Sequence, residues 1–205
     1  PPQRLSEPKM GADAVLAVAA IVIVAAGIAA GVLQARRSLR AGAGVAAQIR
    51  NGAWGTGMLT GSTKADALTR ARVAISGLLA LDQKECIYFI AARDDSGEPL
   101  SSEHEYEIKG TAPDARWWSI TVYGPDYFLI ANPGHRYSFS SKTIKSDQAG
   151  GFTIRLARDQ RDGAWLPTGK GRFVLNLRLY NPSETLRRDR ATVPLPRIVR
   201  VGGAA

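Results

Sequence analysis

The chain has 205 residues, with 27 Lys and Arg against 18 Asp and Glu, a net charge of +9 and 45% hydrophobic residues. That mixture excludes a disordered or collagen-like chain. A single cysteine, Cys86, excludes a disulfide framework and a Cys-based zinc site, and two histidines leave little material for a His-rich metal centre.

After an N-terminal tail, residues 1–13, the run AVLAVAAIVIVAAGIAAGVL (14–33) has 20 residues and no charged or polar side chain. At helical rise it spans roughly 30 Å, the thickness of a bilayer core. A signal-peptide core is shorter, about 7–15 residues, so a retained transmembrane helix is expected over 14–35. Gly27 and Gly31 form a GxxxG pair flanked by Ala25/Ala29 and Ala26/Ala30. Small residues four apart flatten one helix face, and this face is the expected packing surface for a second membrane helix. Residues 36–60 form a basic juxtamembrane linker with Arg36, Arg37, Arg40 and Arg50 and no acid, suited to anionic headgroups.

The remaining residues, 61–205, form the expected folded domain. A helix is expected near 64–81, with Ser62 or Thr63 as cap and Leu68, Ala71, Ile75, Leu78 and Leu79 on one apolar face. From Cys86 onward the period is two. Strands are expected near 86–92, 104–109, 116–123, 127–131, 137–141, 152–158, 172–180 and 197–201, separated by turn signals such as Asp95-Ser96-Gly97 and Asn132-Pro133-Gly134. The fold class is therefore mainly β: an antiparallel β-sandwich or jelly roll with one packed α-helix, preceded by a single transmembrane α-helix.

Charge is uneven along this domain. Residues 51–115 carry 6 basic and 10 acidic residues, and residues 116–205 carry 15 and 6. Interleaved strands would cancel part of that asymmetry. The chain lacks an RNP-type aromatic motif, a helix-turn-helix and a zinc finger, so nucleic acid is not an expected partner.

The most distinctive stretch is Arg116-Trp117-Trp118-Ser119-Ile120-Thr121-Val122-Tyr123. Adjacent tryptophans in a strand point to opposite faces, so one belongs to the core and the other to a surface, groove or interface. Arg116, Trp117, Trp118 and Tyr123, with His135 and Arg136 near the 132–134 turn, form the candidate binding or interface surface. His104 shares its strand with Glu103, Glu105 and Glu107, but nothing in the spacing joins it to His135, so no metal site is assigned. Asp94, Asp95 and Glu98 read as a charged hairpin tip, and Cys86 as a buried thiol. GxSxG, HExxH and Walker A patterns are absent, and no catalytic residue or cofactor is assigned.

Several segments, taken in order, resemble one bacterial family. They are Gly61-Ser62-Thr63-Lys64-Ala65-Asp66, Thr69-Arg70-Ala71, Gly77-Leu78-Leu79-Ala80-Leu81, Glu85 with Tyr88-Phe89, Asp95-Ser96-Gly97 with Pro99-Leu100, Arg116-Trp117-Trp118-Ser119, Trp165-Leu166-Pro167, Arg178-Leu179-Tyr180-Asn181-Pro182 and Leu195-Pro196-Arg197-Ile198. The ordered set, covering about residues 54–200, resembles the domain of unknown function 1214 family in its short membrane-anchored form. The resemblance implies a β-sandwich of jelly-roll type, usually exported behind an N-terminal anchor. It also implies a partner from the sister family, domain of unknown function 1254. It supplies no catalytic residues.

The expected function is a membrane-anchored, non-catalytic interaction or accessory subunit of a bacterial envelope complex. The expected partners are membrane lipids and either a second protein or a second copy bound through the transmembrane helix. The alternatives are a glycan- or lipid-binding sandwich module and a hydrolase using carboxylates or His135. Topology evidence divides. Arg4 and Lys9 precede the span while Arg36, Arg37, Arg40 and Arg50 follow it, which favours a cytoplasmic C-terminal side. The resemblance implies export. The expectation is an inner-membrane protein with its C-terminal domain in the periplasm.

Overall fold

The computed structural model describes residues 11–41, 49–75 and 80–203. It divides into two units, Pro1–Ala41 and Gly42–Ala205.

The first unit is a helix, α1 (Ala12–Ala41). Its segment Ala12–Ser38 is long and apolar enough to cross a membrane. Val15, Leu16, Ile21, Val22, Ile23, Val24 and Ile28 are all exposed along it. A Cβ added at Gly27 or Gly31 would meet nothing within 4 Å, so the small-residue face is open.

The second unit contains two sheets. β1 (Ile49–Asn51), β2 (Trp54–Thr56), β3 (Cys86–Ala91), β5 (Ala115–Tyr123), β6 (Ser138–Ser140) and β9 (Val174–Pro182) form a six-stranded sheet in the order β1-β2-β3-β9-β5-β6. β4 (His104–Thr111), β7 (Gly151–Ala157), β8 (Trp165–Pro167) and β10 (Arg197–Gly203) form a four-stranded sheet in the order β10-β4-β7-β8. Pairing is antiparallel except between β7 and β8, which run parallel.

Period-two alternation accounts for the core. Ile87, Phe89 and Ala91 on β3, Trp118, Ile120 and Val122 on β5, and Leu175, Leu177 and Leu179 on β9 share one buried cluster with Tyr106, Ile108, Ile154, Leu156 and Ile198 of the other sheet. Trp118 stacks on Phe152 with centroids 4.8 Å apart, so an aromatic pair joins the two sheets. The structure is thus mainly β, with two facing sheets and a shared core.

The outer face of β3 is covered as well. Cys86 and Tyr88 pack with Val73, Leu81, Ile90 and Tyr180. Val73 comes from α2 (Ala67–Ile75), which is shorter than the expected helix. Thr69 N donates to Asp66 Oδ1 at 2.6 Å, so Asp66, rather than Ser62 or Thr63, starts this helix. The expected apolar face is not buried: Leu68 and Ile75 are exposed, Val73 makes the contact with the sheet, and Leu78 and Leu79 lie outside the described residues.

The expected strand at 127–131 is a turn carrying one bridge, Tyr123↔Leu129. Tyr127 has φ 65°, in the left-handed region, which interrupts an extended run. Phe128 and Leu129 are exposed, at 74% and 50%, and only Ile130 packs against the core. The short strands β1, β2 and β8 were not expected from the alternation. A third helix, α3 (Glu184–Arg188), follows β9.

Charge interleaves across the strands. Arg155 of β7 pairs with Glu107 of β4 at 3.5 Å, and Lys109 pairs with the same carboxylate. Arg161 pairs with Glu105, and Arg197 of β10 lies 3.2 Å from Asp95. Acids of the first half therefore meet bases of the second.

Candidate functional site

The sequence-derived surface does not assemble into one patch. Trp118 belongs to the core at 2% exposure, which removes it from the candidate surface. Trp117 is half-buried on the outer face, with its ring edge-to-face with Tyr180 at 5.1 Å. Tyr123 lies on the same outer face, six residues or roughly 20 Å along the strand. Its hydroxyl accepts from Arg178 Nη2 at 2.5 Å, and the guanidinium carbon is 5.6 Å from its ring. Arg116 is exposed at the start of β5. His135 and Arg136 are exposed in the turn before β6. His135 has φ 47° and its Nδ1 is 3.5 Å from the Tyr137 hydroxyl, while Arg136 sits 5.8 Å from the Phe139 ring. A continuous stacking platform would need rings side by side, and these are dispersed.

The expected hairpin tip at 94–98 is more than a charged surface feature. Asp94 is 2% exposed, and its Oδ1 accepts from Ser96 N at 2.9 Å, Ser96 Oγ at 2.6 Å and Glu98 N at 3.0 Å. Asp95 Oδ1 accepts from Ala53 N at 3.2 Å, and its Oδ2 accepts from Ile198 N at 3.0 Å and Arg197 Nε at 3.2 Å. One carboxylate therefore ties the β1–β2 turn to β10. These acids are engaged structurally. Among the described residues no group of three or more His, Cys, Asp or Glu could hold a metal.

A basic groove of about 550 Å³ lies elsewhere, lined by Gly61, Ser62, Thr63, Asp82, Gln83, Lys84, Glu184, Arg187, Arg188 and Arg190. It is built from three segments distant in sequence. The first is the loop 58–63. Gly61 has φ +74°, and a Cβ there would lie 2.0 Å from Leu81 O, so glycine permits this loop to lie against the second segment, 81–84. Gln83 holds the two together: its Nε2 donates to Thr60 O at 3.0 Å and to Met58 O. Asp82 Oδ1 accepts from Lys84 N at 2.8 Å and fixes the turn.

The third segment is α3 with the turn that follows it. Ser183 Oγ caps the helix by accepting from Leu186 N at 3.1 Å, and buried Leu186 anchors it in the core. Beyond its end, Arg190 folds back and is only 8% exposed. Arg190 Nε donates to Arg187 O at 3.1 Å and its Nη2 donates to Gln83 Oε1 at 2.9 Å. Both acceptors are neutral, and among the described residues no carboxylate lies in ion-pair range of Arg190. Burial lowers the Arg190 pKa, although a guanidinium stays charged at neutral pH. Asn51 Nδ2 supports the segment from behind, donating to Arg190 O at 3.0 Å and Val193 O at 2.7 Å. Arg188 pairs with Asp189 at 3.1 Å.

The groove thus holds four cations and two carboxylates, with one cation buried and lacking a counterion. A buried charge normally requires an ionic or multiply hydrogen-bonded partner. The arrangement can bind and orient an anion. Sequence reasoning passed over it because Arg187-Arg188-Asp189-Arg190 reads locally as a solvated charge run. The run of three arginines in four residues was the available signal.

Comparison with known proteins supports the family resemblance over a narrower stretch than the motifs suggested. Residues 85–184 match the family described as protein of unknown function (DUF1214). No curated protein matches the chain. Among solved structures, the VPA0106 protein from Vibrio parahaemolyticus aligns with a TM-score of 0.57 and 26% identity, over 67% of this chain and 36% of that one. An uncharacterized protein from Burkholderia cenocepacia aligns at 17% identity over 57% of this chain and 30% of that one. Its TM-score is 0.44. The chain spans about a third of the length of these structures.

Proposed function

With residues 85–184 matching the DUF1214 family, we propose that this chain is a membrane-anchored, non-catalytic interaction module, an accessory subunit of a bacterial envelope complex. The carrying observation is α1, whose Ala12–Ser38 segment presents apolar side chains all round and an open Gly27/Gly31 face. Such a surface needs lipid or another apolar helix to cover it. The non-catalytic part of the reading is supported by the carboxylates: Asp94, Asp95, Glu105 and Glu107 are all engaged in turns, clasps or ion pairs. The anchor lies in the inner membrane and the β domain faces the periplasm. The partner is either a protein of the sister family that the resemblance implies or a second copy of this chain.

Gentle detergent extraction followed by native mass measurement tests this reading. A homo-oligomer or a stoichiometric complex is the expected result. Gly27→Leu with Gly31→Leu should weaken a homo-oligomer held through the membrane helix. A monomer without partners would overturn the reading.

A further inference from the structure

Part of the basic surplus of residues 116–205 is taken up by pairing. Arg155, Arg161 and Arg197 meet acids from the first half of the domain. Arg178 is held by Tyr123. The groove at 61–63, 82–84 and 184–190 is different. Its innermost cation, Arg190, is 92% buried, and its side chain donates to an amide oxygen and a backbone carbonyl. Lys84 is exposed and Arg187 half-exposed on the same walls, and neither has an acidic partner among the described residues. An apolar residue of similar volume would be less costly to bury at position 190 than a guanidinium with no counterion.

We propose that this groove binds a hydroxylated phosphate ester, with the phosphate seated against Arg190 and flanked by Arg187 and Lys84. A guanidinium presents paired N–H donors that match two phosphate oxygens, and Lys84 supplies a third, mobile cation. Arg188 is paired with Asp189, so Lys84, Arg187 and Arg190 face Asp82 and Glu184 with a surplus of one positive charge, which favours an anionic group. Asp82 and Glu184 would repel a second anionic group, but they accept hydrogen bonds from hydroxyls on the same ligand. The volume of about 550 Å³ exceeds what an inorganic ion fills and falls in the ordinary range for small-ligand sites. Glycerol phosphate has this chemistry, either as a soluble ester or as the headgroup of phosphatidylglycerol. The site belongs to the β domain alone and does not depend on the side of the membrane it faces or on a protein partner.

The test uses the full chain in phosphatidylcholine nanodiscs, with amide hydrogen exchange as the readout. In one arm glycerol phosphate is titrated in. In the other, phosphatidylglycerol replaces part of the lipid. Protection of residues 58–63, 81–84 and 184–193 is expected in at least one arm. Protection with the soluble ester identifies a free ligand, and protection with the lipid identifies a headgroup. Lys84→Ala combined with Arg187→Ala should weaken binding at least tenfold, and added salt should weaken it further. Arg190→Gln should abolish it. If Arg190→Gln fails to fold, the double variant decides, because its side chains lie outside the core. Absence of protection in both arms, or unchanged affinity in the double variant, would overturn the proposal. Neither result bears on the accessory-subunit reading, which the mass measurement tests separately.

Discussion

Leu177 and Arg178 are neighbours on β9 and point in opposite directions. Leu177 is fully buried between the sheets, whereas Arg178 lies half-buried on the outer face, bonded to the Tyr123 hydroxyl. Leu177→Ala leaves a cavity in a close-packed core and should cost roughly 2–5 kcal/mol. Arg178→Ala removes one hydrogen bond and a cation–ring contact and should cost about 1 kcal/mol. Chemical denaturation of both variants checks the order. Tyr88 makes a second residue-level prediction. Burial pushes its phenol up to about 12, against the opposing effect of the hydrogen bond it accepts from Leu81 N. An unfolded tyrosine ionises near roughly 10, so the unfolded chain loses that proton first as pH rises. The contribution is complete below about pH 10 and is lost as pH climbs through about 12. Burial also raises Tyr106 and Tyr127, so Tyr88→Phe should reduce the alkaline slope of stability without removing it. Unfolding free energies measured between pH 9 and 12 give that slope, and an unchanged slope would show that Tyr88 is not the group responsible.

At the scale of elements, the strands with several alternating residues were legible in the sequence. β3, β4, β5, β7, β9 and β10 all lie where period-two patterns placed them. The misses have physical causes. Ile49–Asn51, Trp54–Thr56 and Trp165–Pro167 are three residues each, too short to show a period. Residues 127–131 imitate a strand by composition, but Tyr127 adopts φ 65° and Phe128 faces outward. The facing of Trp117 and Trp118 followed from alternation, although the sequence could not say which ring was inside. The basic groove was illegible for another reason: its walls come from three segments that only the fold joins. Gly61 makes that joining possible. Gly61→Ala places a Cβ against Leu81 O at a left-handed φ, so the loop must move away from residues 81–84. The variant should melt several degrees lower and lose protection at 58–63 in hydrogen exchange. An unchanged melting temperature would mean that the loop relaxes freely.

At the scale of the whole molecule, Ala12–Ser38 is long and apolar enough to cross a membrane, and the proposed export of the β domain makes a testable prediction. The two basic residues before the span and four after it form a small margin, because long domains cross with little regard to charge. Export is the expectation carried by the resemblance. Protease added to spheroplasts should therefore digest the domain, residues 49–203, and spare α1. Complete protection, released only by lysis, would place the domain in the cytoplasm.

Asn51 links the entry strand of the β domain to the basic groove. β1 is an edge strand paired with β2 alone, and tension on a chain entering at Ile49 reaches it first. Asn51 passes that load sideways, because its amide holds the carbonyls of Arg190 and Val193 at 3.0 and 2.7 Å. Displacement of β1 would therefore act on the back wall of the basic groove as well as on β2. On the proposed phosphate site, a ligand held by Arg190 would stiffen, through Asn51, the strand by which the chain enters the domain.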